Sequence, residues 1–399
     1  MIEGLRDATT SRRRRLHHGL VGVVAAVLLL AVQRLLWPAP AGVIVQGALV
    51  GGLTALVSLG IALIYKSNRI VNFAQGDLGA FPASLAVLLI VSTGANYFLA
   101  MAAGVGAALV LGAVVEVVVI RRFRHSSRLI LTVATIGLAQ ILAAGGLLLP
   151  QWFNVRVPPQ DYPSPFHAAI TIGGTTFHGN DLIAMGAVPI LIAALVLLLR
   201  HSTLGTAIRA AADDPDRAAL LGINVGALHT VVWVIASVLS TVALFLRAGV
   251  VGLPIGTVLG PGVLLRALAA SIIGRMDNLT VIAGAAIGLG IVEQAVVHHT
   301  GQVAYVDPVL FVVILAALLL DRRRQTGRAP VDPAGQLAAR EVRPVPRPMR
   351  HLREVRAGKW GVVGAVALAF LVLPALIPES RTNLVAAGVI FAIVGLSLV

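Results

Sequence analysis

Apolar runs of about twenty residues recur along almost the whole chain, and no other feature restricts its fold so tightly. A helix of roughly 17–25 apolar residues matches the ~30 Å hydrocarbon core of a bilayer. Runs of that kind lie at 20–36, 43–64, 71–93, 98–120, 129–149, 181–199, 226–246, 250–273, 279–298 and 305–320, with two more at 360–376 and 384–399. Only 12% of the residues are charged and the mean hydropathy is +0.92, against about 25% charged in a soluble domain. In hydrocarbon each backbone N–H and C=O must be paired within the protein, which leaves helices as the natural spanning element for runs of this length. The predicted fold is an all-α polytopic membrane protein, with about ten transmembrane helices in a first unit and two in a second.

The net charge of +14 does not point to nucleic acid, because no basic face interleaved with aromatics is present. The charge flanks the apolar runs instead, as in Arg12–Arg15 and in the ten Arg and Lys359 between 321 and 359. With the N-terminus placed in the cytoplasm and the side alternating at each run, 26 of the 31 Lys and Arg fall on the cytoplasmic side. That bias predicts the orientation. The expected organisation is a cytoplasmic N-terminus over 1–19, a transmembrane unit over 20–320, a basic proline-rich cytoplasmic linker over 321–359 lying against anionic lipid, and a second unit from 360 to 399. A cleaved signal peptide ending near Ala39-Pro40-Ala41 is the alternative reading of the first run.

Leu384–Val399 aligns with Leu49–Ile64, with Leu, Val, Gly and Leu shared at corresponding positions. Each segment follows a leading apolar run, so a second copy of the same design is expected to begin after the linker. Its final run holds sixteen residues, about 24 Å of helix, and the second unit is therefore expected to be truncated.

Three segments carry polar chemistry. The first, Tyr65 to Gly79, sets Asn72, Gln75 and Asp77 near or within membrane depth, where a carboxylate is costly and faces a bundle interior or an aqueous path. The alternative is a cytoplasmic connector with Asp77 capping the next helix. The second, 200–225, falls on the cytoplasmic side and predicts short helices. Asp214 caps one starting at Pro215, Ala218, Ala219, Leu220 and Leu221 give an apolar face, and Gly222 closes it. Such an element suits docking onto a soluble partner. The third is Gly284 to Gly288, followed by Gly290 and Glu293, where small residues four apart allow close helix approach; Gly47 and Gly51 repeat the spacing. Glu293 is expected to face another helix or a polar cavity but has no evident intramembrane partner. Glu116 is expected to pair with Arg121 or Arg122. The proline-bearing stretch 151–180 is read as a solvated external connector, with a cap or docking surface as the alternative.

Other chemistries find no support. A Gly-x-x-x-x-Gly-Lys-Ser/Thr loop is missing, so ATP phosphates have no cradle; Gly358-Lys359 stands alone. With no cysteine, no His/Glu metal spacing and no nucleophile elbow, the chain is expected to be neither a metalloprotein nor an enzyme, and no cofactor is expected.

YKSNRIVNFAQGDL resembles the signature of the high-affinity branched-chain amino-acid ABC-transporter permease family. RAAADDPDRAALLGINV resembles the loop of that family that engages the ATPase, while GPGVLLRALAASIIG and GAAIGLGIVE resemble its later helices. The likeness covers roughly 43–320, and the segment from 360 resembles the start of the companion permease subunit. The resemblance implies an importer built of two permease units, two cytoplasmic ATPases that use the ATP, and an extracytoplasmic solute-binding protein. It assigns Arg209, Asp213, Asp214, Asp216, Gly222, Ile223 and Asn224 to the ATPase-coupling loop, and Asn72, Gln75, Gly76 and Asp77 to the first signature; Glu293 joins the latter as a candidate for the translocation path. Two departures stand out. Lys66 and Ser67 occupy what is expected to be a turn where the family often has glycine, and Arg275-Met276-Asp277-Asn278 replaces a glycine-rich turn. Those departures leave the solute open, with a sugar or urea-like amide permease or a secondary transporter as the alternatives.

Overall fold

The computed structural model describes residues 37–123, 126, 128–155, 162–251 and 260–322. The chain divides into two compact units, Met1–Val331 and Asp332–Val399. The second lies outside the described residues, as do the expected runs at 20–36, 360–376 and 384–399, the N-terminal segment 1–19 and the linker 321–359 beyond Arg322.

Helix α1 (Ala41–Asn68) is followed by α2 (Gln75–Thr93) and α3 (Tyr97–Val114). A wider π turn over Val115–Val119 and a tighter turn over Ile120–Phe123 extend α3. Next come α4 (Arg128–Trp152), a hairpin of β1 (Ile170–Ile172) and β2 (Thr175–Phe177), and α5 (Gly179–His201). Two short helices, α6 (Thr203–Asp213) and α7 (Pro215–Leu220), precede α8 (Val225–Val251), α9 (Gly260–Ile273), α10 (Leu279–Thr300) and α11 (Val306–Arg322). Seven helices among the described residues are long and apolar enough to cross a membrane, α3 counting with its extension. This is an all-α polytopic membrane protein.

α1 forms the axis. Every residue from Leu49 to Ile64 is buried, which is how a helix that is hydrophobic all round behaves when neighbours enclose it. α8, α10 and α9 pack directly on it. Outer helices show the opposite pattern, with Leu99 on α3, Ile141 on α4 and Ile190 on α5 largely exposed. Lipid, not water, accommodates such faces.

Lipid tails are as apolar as leucine, so helix association rests on close packing and interhelical polar contacts. The tightest seam joins α1 to α10. A Cβ on Gly290 would collide with Gly51 Cα and lie 2.5 Å from the Gly47 carbonyl, and a Cβ on Gly51 would meet the Ala286 carbonyl at 2.6 Å. Gly284, by contrast, faces open space. The close approach foreseen for this stretch is made by Ala286 and Gly290 rather than by Gly284, because only that face of α10 turns toward α1.

Contacts between helix ends define the two ends of the bundle. At one, Lys66 Nζ lies 2.8 Å from Asp277 Oδ1, Arg69 reaches the end of α6, and Arg121 reaches Thr230 at the start of α8. At the other, the β-hairpin meets the start of α1 at Gly42, and Tyr162 bonds to Phe245 near the end of α8. The first is here termed the arginine-rich end and the second the hairpin end.

Two expectations change, and a third falls partly outside the described residues: the run 250–273 includes 252–259, with α8 described as far as Val251 and α9, of 14 residues, from Gly260. Lys66 and Ser67 lie in the last turn of α1 rather than in a turn between helices; the turn comes at Arg69, with φ 55°. Finally, the described part of the stretch 151–180, expected to be an external solvated connector, is more than that. It contains the hairpin, with Ile170 opposite Phe177, and buries Tyr162 and Phe177.

Candidate functional site

Asn72 and Gln75 lie at the arginine-rich end of α2, where the chain turns between α1 and α2, and both are fully buried. Asn72 Oδ1 accepts from the Ala74 N–H at 3.0 Å, and its Nδ2 donates to Gln75 Oε1 at 3.0 Å. Gln75 Nε2 donates to the Ala236 carbonyl at 2.9 Å and to Ser240 Oγ at 2.5 Å. These bonds tie the α1–α2 turn to α8. Gly60 leaves room for the amide, since a Cβ there would come within 2.6 Å of Gln75 Nε2. Gly76 is buried beside Gln75 in the first turn of α2. Asp77 is buried in the same turn but is not the cap; Ala74 holds that position without a side-chain bond. Free N–H groups at a helix start favour a carboxylate there. The amide pair thus forms a polar lock inside the bundle.

At the arginine-rich end, α6 and α7 form a compact angular element. Ser202 Oγ accepts from the Gly205 N–H at 2.9 Å and starts α6. Asp214 Oδ1 accepts from the Arg217 N–H at 3.0 Å, capping the helix that opens at Pro215 as the sequence predicts. Asp214 Oδ2 also lies 2.9 Å from Arg217 Nε. Gly222 closes α7 with φ +83°, its N–H donating to Ala219, while the Ile223 N–H donates to Ala218. A left-handed residue there suits glycine because it lacks a Cβ. Asn224 Oδ1 then accepts from the Ala227 N–H at 3.0 Å and opens α8.

Two sides of this element differ. Ala218 is buried, but Leu220 and Leu221 are 88% and 81% exposed. Arg209, Asp213 and Asp216 are exposed around them. The expected apolar face is therefore divided: Ala218 faces the bundle, and the leucines project away from it. Arg69 Nη2 donates to the Ala212 carbonyl at 3.1 Å, joining the end of α1 to the end of α6.

Buried charge appears twice more. Glu116 is 2% exposed and pairs with Arg121 at 2.9 Å, and Thr230 Oγ1 donates to it at 2.7 Å. Glu293 has partners that sequence reasoning did not find. Its Oε2 lies 3.0 Å from Arg266 Nε, and its Oε1 lies 3.8 Å from Arg247 Nη2. The Arg266 contact is an ion pair without hydrogen-bond alignment. Arg266 also reaches Asp307 Oδ1 at 3.2 Å and the Gly262 carbonyl at 3.1 Å. Arg247 is 6% exposed, and its Nε and Nη1 have no hydrogen-bond partner among the described residues. An inadequately paired buried guanidinium costs several kcal/mol. Arginines inside apolar runs were the available signal, since intramembrane charges seek partners of opposite sign.

At the hairpin end, the rings of Tyr97, Tyr162 and Phe245 sit 5.1–5.8 Å apart. Tyr162 donates to the Phe245 carbonyl at 2.7 Å and accepts at its own carbonyl from Asn180 at 3.2 Å. Burial, with Tyr97 alongside, holds the Tyr162 phenol far above its ordinary pKa, so it remains a neutral donor. These contacts fasten the stretch after α4 to α8.

A bundle enclosing an axial apolar helix, with an exposed elbow at one end and buried charges between its helices, defines a polytopic membrane protein. The family model of the branched-chain amino acid transport system permease component matches residues 17–319, and the chain belongs to that family. It is 28% identical over 308 residues to the high-affinity branched-chain amino acid transport system permease protein LivH of Escherichia coli strain K12, covering 72% of this chain and 95% of that protein. Against LivH of Salmonella typhimurium the identity is 27% over 308 residues, with the same coverage. Against BraD of Pseudomonas aeruginosa, another high-affinity branched-chain amino acid permease protein, it is 28% over 304 residues, covering 72% and 96%. The chain is the transport-permease component of such a system.

Proposed function

We propose that this chain passes branched-chain or related amino acids through the membrane as the permease subunit of an ATP-binding-cassette importer. In this reading the arginine-rich end faces the cytoplasm, and so does the N-terminus. A separate ATPase subunit supplies hydrolysis, and an extracytoplasmic binding protein delivers the solute to the hairpin end. The observation that carries the reading is the elbow of α6 and α7, with Leu220 and Leu221 exposed beside Asp213, Asp216 and Arg209. Two large apolar side chains on a capped, hydrogen-bonded corner suit a groove on a soluble partner. The family relationship supports the same partners.

ATPase closure would press on this elbow, and Arg69 and the Asn72–Gln75 lock would carry the displacement to α1, α2 and α8. Asn72, Gln75, Gly76 and Asp77 act in this scheme as a linkage beside the path, while Glu293 lies nearer the solute. Residues 360–399 belong, in the same reading, to a companion permease unit, supported by their likeness to Leu49–Ile64. Lipid contacts the outer helices.

Reconstitution with the ATPase and binding protein tests the assignment. Leu220→Asp and Asp214→Lys are expected to abolish ATP-driven uptake while membrane insertion is retained. Wild-type uptake in both variants would remove the docking surface. The Glu293 ion network is the one feature that favours a secondary carrier instead, and uptake driven by a proton gradient without ATP would establish that rival.

A further inference from the structure

We propose that Arg247 and Arg266 form a recognition site for the carboxylate of the transported amino acid, with Glu293 occupying it as an internal substitute. The inference rests on the amino-acid permease reading and adds the binding group to it.

Arg247 presents buried donors that no described protein group uses. Its side chain is 7% exposed, Nη2 comes no nearer than 3.8 Å to Glu293, and Nε and Nη1 meet no hydrogen-bond partner among the described residues. A guanidinium offers five N–H donors in a planar fork that matches a carboxylate two-to-two. A structural arginine at this depth would be expected to use those donors; Arg247 holds them in reserve.

Charge points the same way. Two arginines face the single buried carboxylate of Glu293, since the other acid, Asp307, is 74% exposed to the surroundings. Arg266 is held closely by Glu293 and Asp307, whereas Arg247 has only the 3.8 Å approach of Glu293, so Arg247 is the cation that an entering carboxylate would pair. Glu293 is placed to exchange: it touches Arg266 closely and Arg247 only loosely.

Arg247 is near the hairpin end of α8, about 33 Å along that helix, and Glu293 lies about 21 Å along α10. Asp307 opens α11 and is exposed, so the network runs from a surface acid to a buried base. Phe245 and Gly249, each two residues from Arg247, meet Tyr162 instead. At 100° per residue these lie on nearly the opposite face of α8, so one face anchors the external stretch and the other holds the charges.

Thermal unfolding of the purified full chain in lipid nanodiscs, without ATPase or binding protein, tests the site. L-leucine at about ten times its Kd is expected to raise Tm by ~2–4 °C, and L-leucinamide, which lacks the carboxylate, is expected to leave it unchanged. Arg247→Gln should abolish the leucine shift and Arg247→Lys should retain part of it. No shift with leucine, an equal shift with leucinamide, or a full shift in Arg247→Gln would overturn the proposal. If Arg247→Gln does not fold, the two-ligand comparison on the wild-type chain decides alone. The shift without ATP-driven uptake in the wild-type assembly would sink the transport reading and leave the site; uptake without the shift would sink the site only.

Discussion

Arg69, in the left-handed turn that ends α1, donates a hydrogen bond of 3.1 Å to the carbonyl of Ala212 near the end of α6. The last carbonyls of a helix lack intrahelical partners and carry partial negative charge, so a guanidinium is well matched there. The bond makes the axial helix and the exposed elbow mechanically continuous.

Arg69→Ala should therefore separate two properties. Its stability cost should be at most about 1 kcal/mol, because the arginine is exposed and water can replace it. ATP-driven uptake should fall well below wild type while partner ATP hydrolysis continues. Parallel assays of uptake and phosphate release on one reconstituted sample check this.

The α1–α10 seam predicts a contrast between two glycines on one helix. Gly290→Leu would drive a side chain into Gly47 and Gly51, with an expected cost of about 1–3 kcal/mol or failure to assemble. Gly284→Leu meets open space and should be nearly neutral. Melting temperatures of the purified variants decide the matter.

Gln75→Leu keeps most of the side-chain volume but removes the bonds to Ala236 and Ser240 and the acceptor for Asn72. Leaving buried polar groups unmatched costs about 1–3 kcal/mol. The loss should appear as lower stability in detergent, before any transport assay.

Lys66, in the last turn of α1, and Asp277, in the turn before α10, meet at 2.8 Å. The pair ties the two turns together, although Asp277 is 77% exposed. Arg275 and Met276 adopt φ 56° and 53° in that turn, a region that glycine would occupy without strain. A double-mutant cycle with Lys66→Ala and Asp277→Ala should give a coupling of about 0–1 kcal/mol that weakens with added salt.

Much of this architecture is legible along the chain because apolar length and helix-end chemistry are local. Asp214 before Pro215, Gly222 after Leu221, and Glu116 five residues from Arg121 are short-range relationships, and each appears in the structure. Glu293 and its arginines sit on three helices, and their meeting depends on how each helix is rotated about its axis. Hydropathy carries little of that information. The same holds for Gly290 against Gly284, and for Gln75 reaching across to α8.

The central claim is that the elbow of α6 and α7 stands in the cytoplasm as the grip of a partner ATPase. The chain contains no cysteine, so Leu220→Cys introduces a single thiol at an exposed position. A membrane-impermeant maleimide should label it in inside-out vesicles, remain excluded in intact spheroplasts, and lose access when the ATPase is bound. Labelling from the exterior of intact spheroplasts would contradict the orientation and the docking assignment together.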